Sequence, residues 1–324
     1  MDDWLKKLRY NPLPRLIHTD NKAILFFGSR DLLSEKDNPV QELWNLTVVT
    51  KILSKQLDNG AWKYPSPKAH IRSKENYNQL ETYRILGYLI EKYGFTREHP
   101  AIRRAAEFMF DFQTEEGDFR GIYGNQYTPN YSAGIMELLI KAGYGNDPRI
   151  EKGFWWLLSI RQNDGGWAIP LRTAGAKLDA EALHGETIKP DLSKPFSYMV
   201  TGVVLRAFAS HEKYWRTKEA IAVGKLLMSR FFKSDNYPDR GDPSYWTKFT
   251  FPFWFTDLLS SLDSLSLLGF TREEPQIKGA LEWFINRQKE NGLWDLKMLK
   301  NKSDKDLNLW IALVICRILK RFYK

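Results

Sequence analysis

Gln162-Asn-Asp-Gly165-Gly166-Trp167 decides how this chain of 324 residues folds, because close variants of it stand at three other places. Each variant ends an apolar helical run with a glutamine, a short polar turn, a glycine and an aromatic residue. A unit that recurs along a chain is typical of repeat architectures, in which stacked neighbours share one core. The sequence therefore predicts an array of one helical unit. The other copies are Gln56-Leu-Asp-Asn-Gly60-Ala-Trp62, Gln113-Thr-Glu-Glu-Gly117-Asp-Phe119 and Gln288-Lys-Glu-Asn-Gly292-Leu-Trp294.

The spacing of the glutamines predicts one further, degenerate copy. The first three glutamines lie 57 and 49 residues apart (113−56 and 162−113), whereas 126 residues (288−162) separate the third from the fourth. A hidden copy is therefore expected near residue 233. The stretch Phe231-Phe232-Lys233-Ser-Asp-Asn-Tyr237 follows a helical run there and lacks the glutamine.

Two kinds of helix alternate along the chain. The run before each turn has apolar residues at i, i+3, i+4 and i+7, which predicts an amphipathic helix with one buried face. A more evenly apolar helix follows each turn. The alternation predicts an all-α, (α/α)6-type toroid, in which the evenly apolar helices form an inner layer. These inner helices are expected at 20–34 (with Asp20 as N-cap), 76–92, 128–143, 195–210, 247–268 and 304–323.

We expect the toroid to be a single domain over residues 1–324. Residues 1–40 would form a helical cap with the first inner helix, and residues 41–324 would carry the repeats, with an inserted loop at about 168–194. Loops of this length are often lids or binding loops. A solvated loop is the competing interpretation.

Composition narrows the cellular context and the partners. The single cysteine, Cys316, excludes an internal disulfide and a multi-cysteine zinc site. No apolar signal segment and no run long enough to span a bilayer is visible, so a cytoplasmic location is expected. The net charge of +9 is compatible with peripheral contact to an anionic membrane, with the densest basic stretch at the C-terminus. Basic and acidic residues alternate elsewhere, and no nucleic acid partner is expected.

The pattern Lys/Arg-Gly/Ala-x-x-aromatic-aliphatic, followed by Gln-x-x-x-Gly-x-Trp, resembles the QW repeat of squalene and oxidosqualene cyclases. It also resembles the repeats of protein prenyltransferase β subunits. The resemblance covers residues 40–324 and implies that the chain is similar to single-domain prokaryotic cyclase-like proteins of unassigned activity. In that family the glutamine amide caps the next inner helix and stacks on the tryptophan. The resemblance therefore implies a structural role for Gln56, Trp62, Gln162, Trp167, Gln288 and Trp294.

The catalytic motifs that the resemblance implies are incomplete in this chain. Class II terpene cyclases protonate their substrate with the middle aspartate of Asp-x-Asp-Asp, and the nearest match is Asp304-Lys-Asp306-Leu307. Asp306 would take the acid position, but a helix N-cap with a first-turn charge is the favoured interpretation. Prenyltransferases hold zinc with Asp, Cys and His. No Asp-x-Cys exists here and the histidines are scattered, so neither a metal nor another cofactor is expected.

The segment 245–255, at the start of the expected helix 247–268, carries seven aromatic residues. Aromatic ring faces stabilise cations and line apolar tunnels. A thick core where inner helices converge explains the same composition equally well. On the first interpretation we expect an isoprenoid-type ligand in an aromatic central cavity. The candidate ligand-binding residues on the inner helices are Tyr77, Tyr131, Tyr198, Trp246, Phe251, Trp254 and Phe255.

Five residues are candidates for acid–base chemistry. Asp257 lies in otherwise apolar sequence, and a buried carboxylate needs a partner or a role. His184 is the histidine of the insert. Glu81 is able to pair with Arg84 at i+3. Glu137, on the second complete repeat, and Asp306 complete the set.

Three functions compete on this evidence. The first is an isoprenoid-binding protein or terpenoid-type enzyme, with Asp306 or Asp257 as the acid. The second is carbohydrate chemistry in an α/α toroid, with Glu81, Glu137 and Asp257 as acid–base candidates. The third is a lipid-binding scaffold that docks on membranes through its basic C-terminal helix. The sequence leaves open whether a ligand is transformed.

Overall fold

The computed structural model describes residues 3–35, 39–66, 72–177, 179–299 and 304–324. Within these residues the chain is all-α, as the sequence predicted. The α-helices are α1 (Leu13–Ile17), α2 (Lys22–Gly28), α3 (Thr47–Leu53), α4 (Lys74–Tyr93), α5 (Pro100–Phe110), α6 (Pro129–Leu139), α7 (Pro148–Ser159), α8 (Pro170–Thr173), α9 (Ala180–His184), α10 (Tyr198–Ala209), α11 (Lys218–Met228), α12 (Leu258–Leu267), α13 (Pro275–Ile285) and α14 (Leu307–Phe322). Residue 178 of the expected insert lies outside the described residues, and the domain boundaries stay a prediction.

Short elements of other kinds connect or extend these helices. Three 3-10 helices span Leu5–Lys7, Val40–Asn45 and Pro243–Thr247, and π-helical turns extend α2 over Ser29–Leu33 and α6 over Ile140–Tyr144. The strands β1 (Lys248–Phe249) and β2 (Lys297–Met298) pair in parallel. Among the described residues, no helix has both the length and the apolar character needed to cross a bilayer.

Six of the described helices close into a ring. Going round it, α2 contacts α4, α4 contacts α6, α6 contacts α10, α10 contacts α12, α12 contacts α14, and α14 returns to α2. Most side chains of α10 and α14 are buried, including residues on opposite faces of each helix. A helix that is apolar all round is stable only when it is covered all round. This ring is the inner layer that the evenly apolar sequences predicted.

The amphipathic helices form the outer layer. Helices α5, α7, α11 and α13 each pack against the inner helix that precedes them, and α1 packs against α14. On α5 the side chains of Ile102, Ala105 and Met109 are buried, whereas those of Arg103 and Glu107 are exposed. The 3.6-residue periodicity of the sequence is therefore the periodicity of burial in the structure.

The repeated turns join neighbouring outer helices. Gln56 Nε2 donates to the carbonyl of Gly60 in its own turn at 2.9 Å and to that of Ala101, in the first turn of α5, at 2.8 Å. Gly60 has φ +88°, and a Cβ there would lie 2.3 Å from the carbonyl oxygen of Arg104. Only glycine allows this turn to lie directly on the next outer helix.

In three of the four turns, the backbone N–H of the aromatic residue donates to a hydroxyl on an inner helix. The backbone N–H of Trp62 donates to Thr82 Oγ1 on α4 at 2.9 Å, and that of Trp167 donates to Thr201 Oγ1 on α10 at 2.9 Å. The family resemblance implied that the glutamine amide would cap the inner helix. In this chain Gln56 and Gln113 donate instead to carbonyls of the outer helices α5 and α7. Gln162 donates to the carbonyls of Asp191 and Lys194, and Gln288 to that of Tyr10.

The degenerate copy expected near residue 233 lies in the turn after α11, where an aspartate makes the inner-helix contact. Asp235 Oδ2 accepts from Ser197 Oγ at 2.7 Å and from the backbone N–H of Met199 at 3.1 Å, at the start of α10. The Nε1–H of Trp246 donates to the carbonyl of Lys233 at 3.0 Å. The site of the missing glutamine is therefore occupied by a different set of hydrogen bonds.

One predicted inner helix is wrong over half its length. The sequence predicted a helix over 247–268, but α12 begins at Leu258 and residues 250–257 are not helical. Pro252 has no N–H to donate and disfavours helical geometry at the residue before it. Residues 249–256, here called the aromatic segment, therefore lead into α12 as a non-helical stretch. At the first inner helix the N-cap is Asn21 and not Asp20, since Asn21 Oδ1 accepts from the N–H groups of Ala23 and Ile24.

Candidate functional site

A cavity of about 450 Å³ opens at the N-terminal ends of α6 and α10. Three parts of the chain complete its wall: the turn 237–240, the aromatic segment and the insert after the third repeated turn. The cavity is lined by Tyr83, Tyr123, Asn130, Tyr131, Ile169, Arg172, Ser197, Met199, Val200, Val203, Tyr237, Pro238, Asp239, Arg240, Trp254 and Phe255.

Aromatic rings in edge-to-face contact form one wall. Tyr83 contacts Tyr131 and Trp254 at centroid distances of 5.8 and 5.4 Å. Tyr131 contacts Tyr123 at 5.4 Å. The Trp254 ring lies so close to α4 that a Cβ at Gly87 would come within 2.3 Å of it. The absence of a side chain at Gly87 therefore decides where Trp254 sits.

A buried arginine holds the aromatic segment in place. Arg206, on α10, donates from Nη2 to the carbonyl of Phe253 at 3.0 Å and from Nη1 to that of Phe255 at 3.3 Å. Its Nε donates to Glu137 Oε2 on α6 at 2.8 Å. Burial opposes the ionisation of Glu137, but the charges of Arg206 and Lys141 outweigh it and lower the pKa of the carboxyl. This arrangement, here called the Arg206 clamp, joins two inner helices to the cavity wall.

Asp257 follows the aromatic segment and is the N-cap of α12. Its Oδ1 accepts from the N–H of Ser260 at 2.7 Å, and its own N–H donates to Ser260 Oγ at 3.0 Å, which is a capping box. The side chain is 2% exposed, and this burial raises the pKa of Asp257 to about 7. The carboxyl does not line the cavity, and its contacts are those of a structural cap.

The two arginines of the cavity differ in their partners. Arg172 binds Asp239 with two hydrogen bonds, of which Nη2 to Oδ1 is 2.7 Å. The guanidinium carbon of Arg240 lies 3.2 Å from the centroid of the Phe255 ring and 5.7 Å from that of Tyr245. Among the described residues Arg240 makes no ion pair. Two arginines and one aspartate leave the lining with one surplus positive charge.

The remaining polar groups of the cavity are neutral. Burial raises the pKa of Tyr83, Tyr123 and Tyr131, so these hydroxyls stay protonated. The Oδ1 atom of Asn130 is buried and has no hydrogen-bond partner among the described residues. A buried acceptor without a partner costs roughly 1–3 kcal/mol, so a ligand that donates to it gains affinity.

The insert forms part of the cavity wall and is fastened to the toroid. Gln126 Nε2 donates to the carbonyls of Ala182 and Glu186 at 2.6 and 2.9 Å, and Gln126 Oε1 accepts from the N–H of Ile188 at 3.0 Å. The insert includes α8 and α9, and its residues Ile169 and Arg172 line the cavity. The described part of the insert therefore contains two short helices and contributes two residues to the cavity wall, whereas the competing interpretation was a solvated loop.

Three of the seven predicted ligand-binding residues line the cavity, namely Tyr131, Trp254 and Phe255. Tyr198 and Trp246 stack on each other behind the wall, at a centroid distance of 4.3 Å.

The other two of the seven lie in the core. Phe251 stacks on Trp310 at 5.5 Å, and Tyr77 contacts Tyr64 at 4.9 Å. These residues pack where the thick-core interpretation of the sequence would place them.

The remaining predicted acid–base residues do not line the cavity, and their proposed roles stay untested. Glu81 pairs with Arg84 at 3.1 Å, and Glu137 belongs to the Arg206 clamp. His184 ends α9 as an exposed residue. The carboxylate that does line the cavity is Asp239. No motif or spacing in the sequence marked Asp239 as a site residue.

Asp306 stands at the start of α14 without capping it. Its side chain makes no hydrogen bond to the helix, and its Oδ2 accepts from Asn21 Nδ2 at 2.8 Å. The neighbouring Asp304 pairs with the buried Lys92. Both carboxylates of the broken acid motif thus accept hydrogen bonds from fixed donors.

Residues 78–177 match the family model described as squalene-hopene cyclase C-terminal domain. This segment runs from α4 into the insert and supplies Tyr83, Tyr123, Asn130 and Tyr131 to the cavity. The match confirms the predicted resemblance to the terpenoid cyclases over this part of the chain. No curated protein matches the sequence.

Solved structures resemble the chain at low identity. A type II terpene cyclase from Scytonema is 13% identical, covers 87% of this chain and 97% of its own, and has a TM-score of 0.37. A polysaccharide lyase is 11% identical, with 87% and 86% covered and a TM-score of 0.43. An alpha-amylase from Clostridium perfringens is 14% identical, with 85% and 79% covered and a TM-score of 0.42.

Proposed function

We propose that this chain binds an apolar, isoprenoid-type small molecule in the cavity at the N-terminal ends of α6 and α10. The observation that carries the proposal is the set of aromatic residues that line a partly open cavity of about 450 Å³. Small-molecule sites typically measure about 300–1,000 Å³ and combine apolar walls with a few polar groups. The aromatic residues of the lining are Tyr83, Tyr123, Tyr131, Tyr237, Trp254 and Phe255.

The aliphatic residues of the lining suit a branched hydrocarbon. Ile169, Met199, Val200 and Val203 supply aliphatic surface beside the rings. Burial of apolar surface stabilises a complex by about 25 cal/mol per Å² before the costs of association are subtracted. Isoprenoids are also the substrate class implied by the resemblance to the terpenoid cyclases.

The proposal is a binding function, and turnover is a separate outcome. Protonation of an alkene needs a protonated, strongly acidic group that faces the substrate. Among the described lining residues the carboxylate is Asp239, and Arg172 already holds it. Asp257 and Asp306, the predicted acids, contact other parts of the chain.

The two competing functions have less support. Glycoside hydrolysis uses two carboxylates on either side of one bond, roughly 5 to 10 Å apart. Glu81 and Glu137 are paired with arginines and are not lining residues, which leaves Asp239 without a second carboxylate in the described lining. Membrane docking through the basic C-terminal helix is not supported either. That helix is α14, whose apolar residues are buried within the inner ring.

A filling substitution tests the proposal. Val203 is 4% exposed and lines the cavity, so Val203→Phe places a ring where the ligand would lie. Val48→Phe is the matched control, since Val48 lies on α3, is 50% exposed and does not line the cavity. Binding of farnesol is measured by tryptophan fluorescence and by calorimetry, and any conversion is followed by mass spectrometry of the recovered ligand.

We expect saturable farnesol binding to the wild type and to Val48→Phe, and at least about tenfold weaker binding to Val203→Phe. A pocket that loses its open volume cannot hold the ligand without moving packed side chains, which costs about 1–3 kcal/mol. The proposal is wrong if the wild type does not bind, or if Val203→Phe binds as tightly as the control.

A further inference from the structure

We infer that the ligand of this cavity carries a carboxylate head group, which the guanidinium of Arg240 binds. The inference rests on the proposed function and deepens it by naming the polar end of the molecule. It is drawn from the contacts of Arg240, from the backbone that places it and from the charge of the lining.

Arg240 is a cation in the cavity wall without an anion. Its guanidinium contacts the rings of Phe255 and Tyr245, and within the described residues it donates no hydrogen bond. A guanidinium carries five N–H donors, and Arg240 is half-buried at the cavity wall, so these donors are accessible from the cavity. Ring faces attract the charge but accept its hydrogen bonds poorly. The donors of Arg240 are therefore available to an acceptor on a ligand bound in the cavity.

The backbone around Arg240 is unusual and well held. Arg240 has φ +59°, in the left-handed region that non-glycine residues seldom adopt. Its carbonyl accepts from the hydroxyl of Tyr198 at 3.1 Å, and the next carbonyl, of Gly241, accepts from the N–H of Asp235 at 2.8 Å. Such strained residues cluster at ligand-binding sites, where the surroundings over-determine them. The turn thus fixes Arg240 against Phe255.

The charge of the lining matches a monoanion. Asp239 neutralises Arg172, so the surplus of one positive charge belongs to Arg240. A carboxylate carries one negative charge and accepts two parallel hydrogen bonds from the planar guanidinium fork. A diphosphate would bring further negative charges into a wall whose other polar groups are neutral tyrosines and Asn130.

Neutral donors stand beside Arg240 to complete the head-group site. Tyr123 and Tyr131 line the same cavity and lie close enough to Arg240 to influence its ionisation. Their hydroxyls stay protonated because burial raises the pKa of both side chains. The hydrocarbon chain would then extend along Val200 and Val203 on α10.

Three ligands with one hydrocarbon chain separate the head group from the tail. Farnesoic acid, farnesol and farnesyl diphosphate are titrated by calorimetry into the wild type, Arg240→Gln, Arg240→Lys and Arg216→Gln. Arg216→Gln is the matched control, because Arg216 is an exposed arginine that stacks on Trp215. Thermal unfolding is recorded for each variant to show that it is folded.

We expect the wild type to bind the acid about ten- to hundredfold more tightly than the alcohol, which is the range for hydrogen bonds to charged groups. Arg240→Gln is expected to abolish this preference and Arg216→Gln to retain it. Arg240→Lys keeps the charge but loses the fork, so an intermediate preference supports a bidentate contact.

Equal affinity for acid and alcohol in the wild type overturns the inference and leaves the proposed function standing. An undiminished preference in Arg240→Gln, or tighter binding of the diphosphate than of the acid, also overturns it. If neither the acid nor the alcohol binds, the proposed function itself fails.

Discussion

The Arg206 clamp is expected to contribute to stability and to ligand binding at once. Replacing Arg206 by methionine keeps the side chain's length but removes its charge and all its donors. Glu137, 3% exposed, would retain Lys141 as its partner, while the carbonyls of Phe253 and Phe255 would lose theirs. Breaking a buried ion pair by removing one partner costs about 3–5 kcal/mol, so we expect Arg206→Met to lower the free energy of unfolding by that amount.

The loss should extend to the cavity, because Phe255 is a lining residue held by the same arginine. Urea unfolding measures the stability of Arg206→Met, Glu137→Gln and the double variant. Residues in direct contact show coupling energies of about 0.5–3 kcal/mol in such a cycle. We expect the double variant to be less destabilised than the sum of the single variants, and farnesol binding to weaken in Arg206→Met at urea concentrations where the protein is folded.

A surface pair provides the comparison. Lys213 pairs with Glu151 with side chains 61% and 38% exposed, so Lys213→Met is expected to cost less than about 1 kcal/mol. A loss below about 1 kcal/mol in Arg206→Met, or additivity in the cycle, would refute the clamp. Unchanged farnesol binding in a folded Arg206→Met protein would show that the clamp stabilises the ring without positioning the wall.

Three further outcomes follow from single side chains. Asp257 has a pKa raised from 3.8 to about 7 by burial, so its unfavourable ionisation should lower stability as pH rises from about 4 to about 7, by at most about 4 kcal/mol. Asp257→Asn keeps a good N-cap but removes the titrating carboxyl. If the urea midpoint of this variant depends on pH as that of the wild type does, Asp257 is not the source of the pH dependence. Gly87→Ala should displace the Trp254 ring and weaken farnesol binding, although alanine has the better helix propensity. Unchanged tryptophan fluorescence in this variant would exclude a displacement of the ring. Gln113→Leu removes the donors to the carbonyls of Gly117 and Arg149, so the free energy of unfolding, measured in urea or by heating, is expected to fall by about 1–3 kcal/mol. An unchanged free energy of unfolding would show that the turns do not join the outer helices.

The sequence contains signals for two features that the helix prediction over 247–268 did not take into account. Pro252 marked the end of helical geometry in the aromatic segment, and Asp257-Leu-Leu-Ser260 has the spacing of a capping box. The prediction of a helix rested on the apolar character of the segment. A short apolar run does not by itself distinguish a buried helix from a buried non-helical stretch. Because the segment was predicted to be helical, Asp257 was placed inside a helix and considered as an acid. In the structure it is the N-cap of α12.

The sequence by itself determined the toroid. Periods of burial and repeated turns are local properties, so the inner and outer helices could be recognised from residue order before any contact was known. The cavity depended on the tertiary structure. Arg172 and Arg240 lie 68 residues apart (240−172), and nothing in residue order distinguishes the arginine that Asp239 neutralises from the one that lies unpaired on Phe255. Which charges cancel and which remain is set by distances between separate turns, and these exist only after the ring has closed.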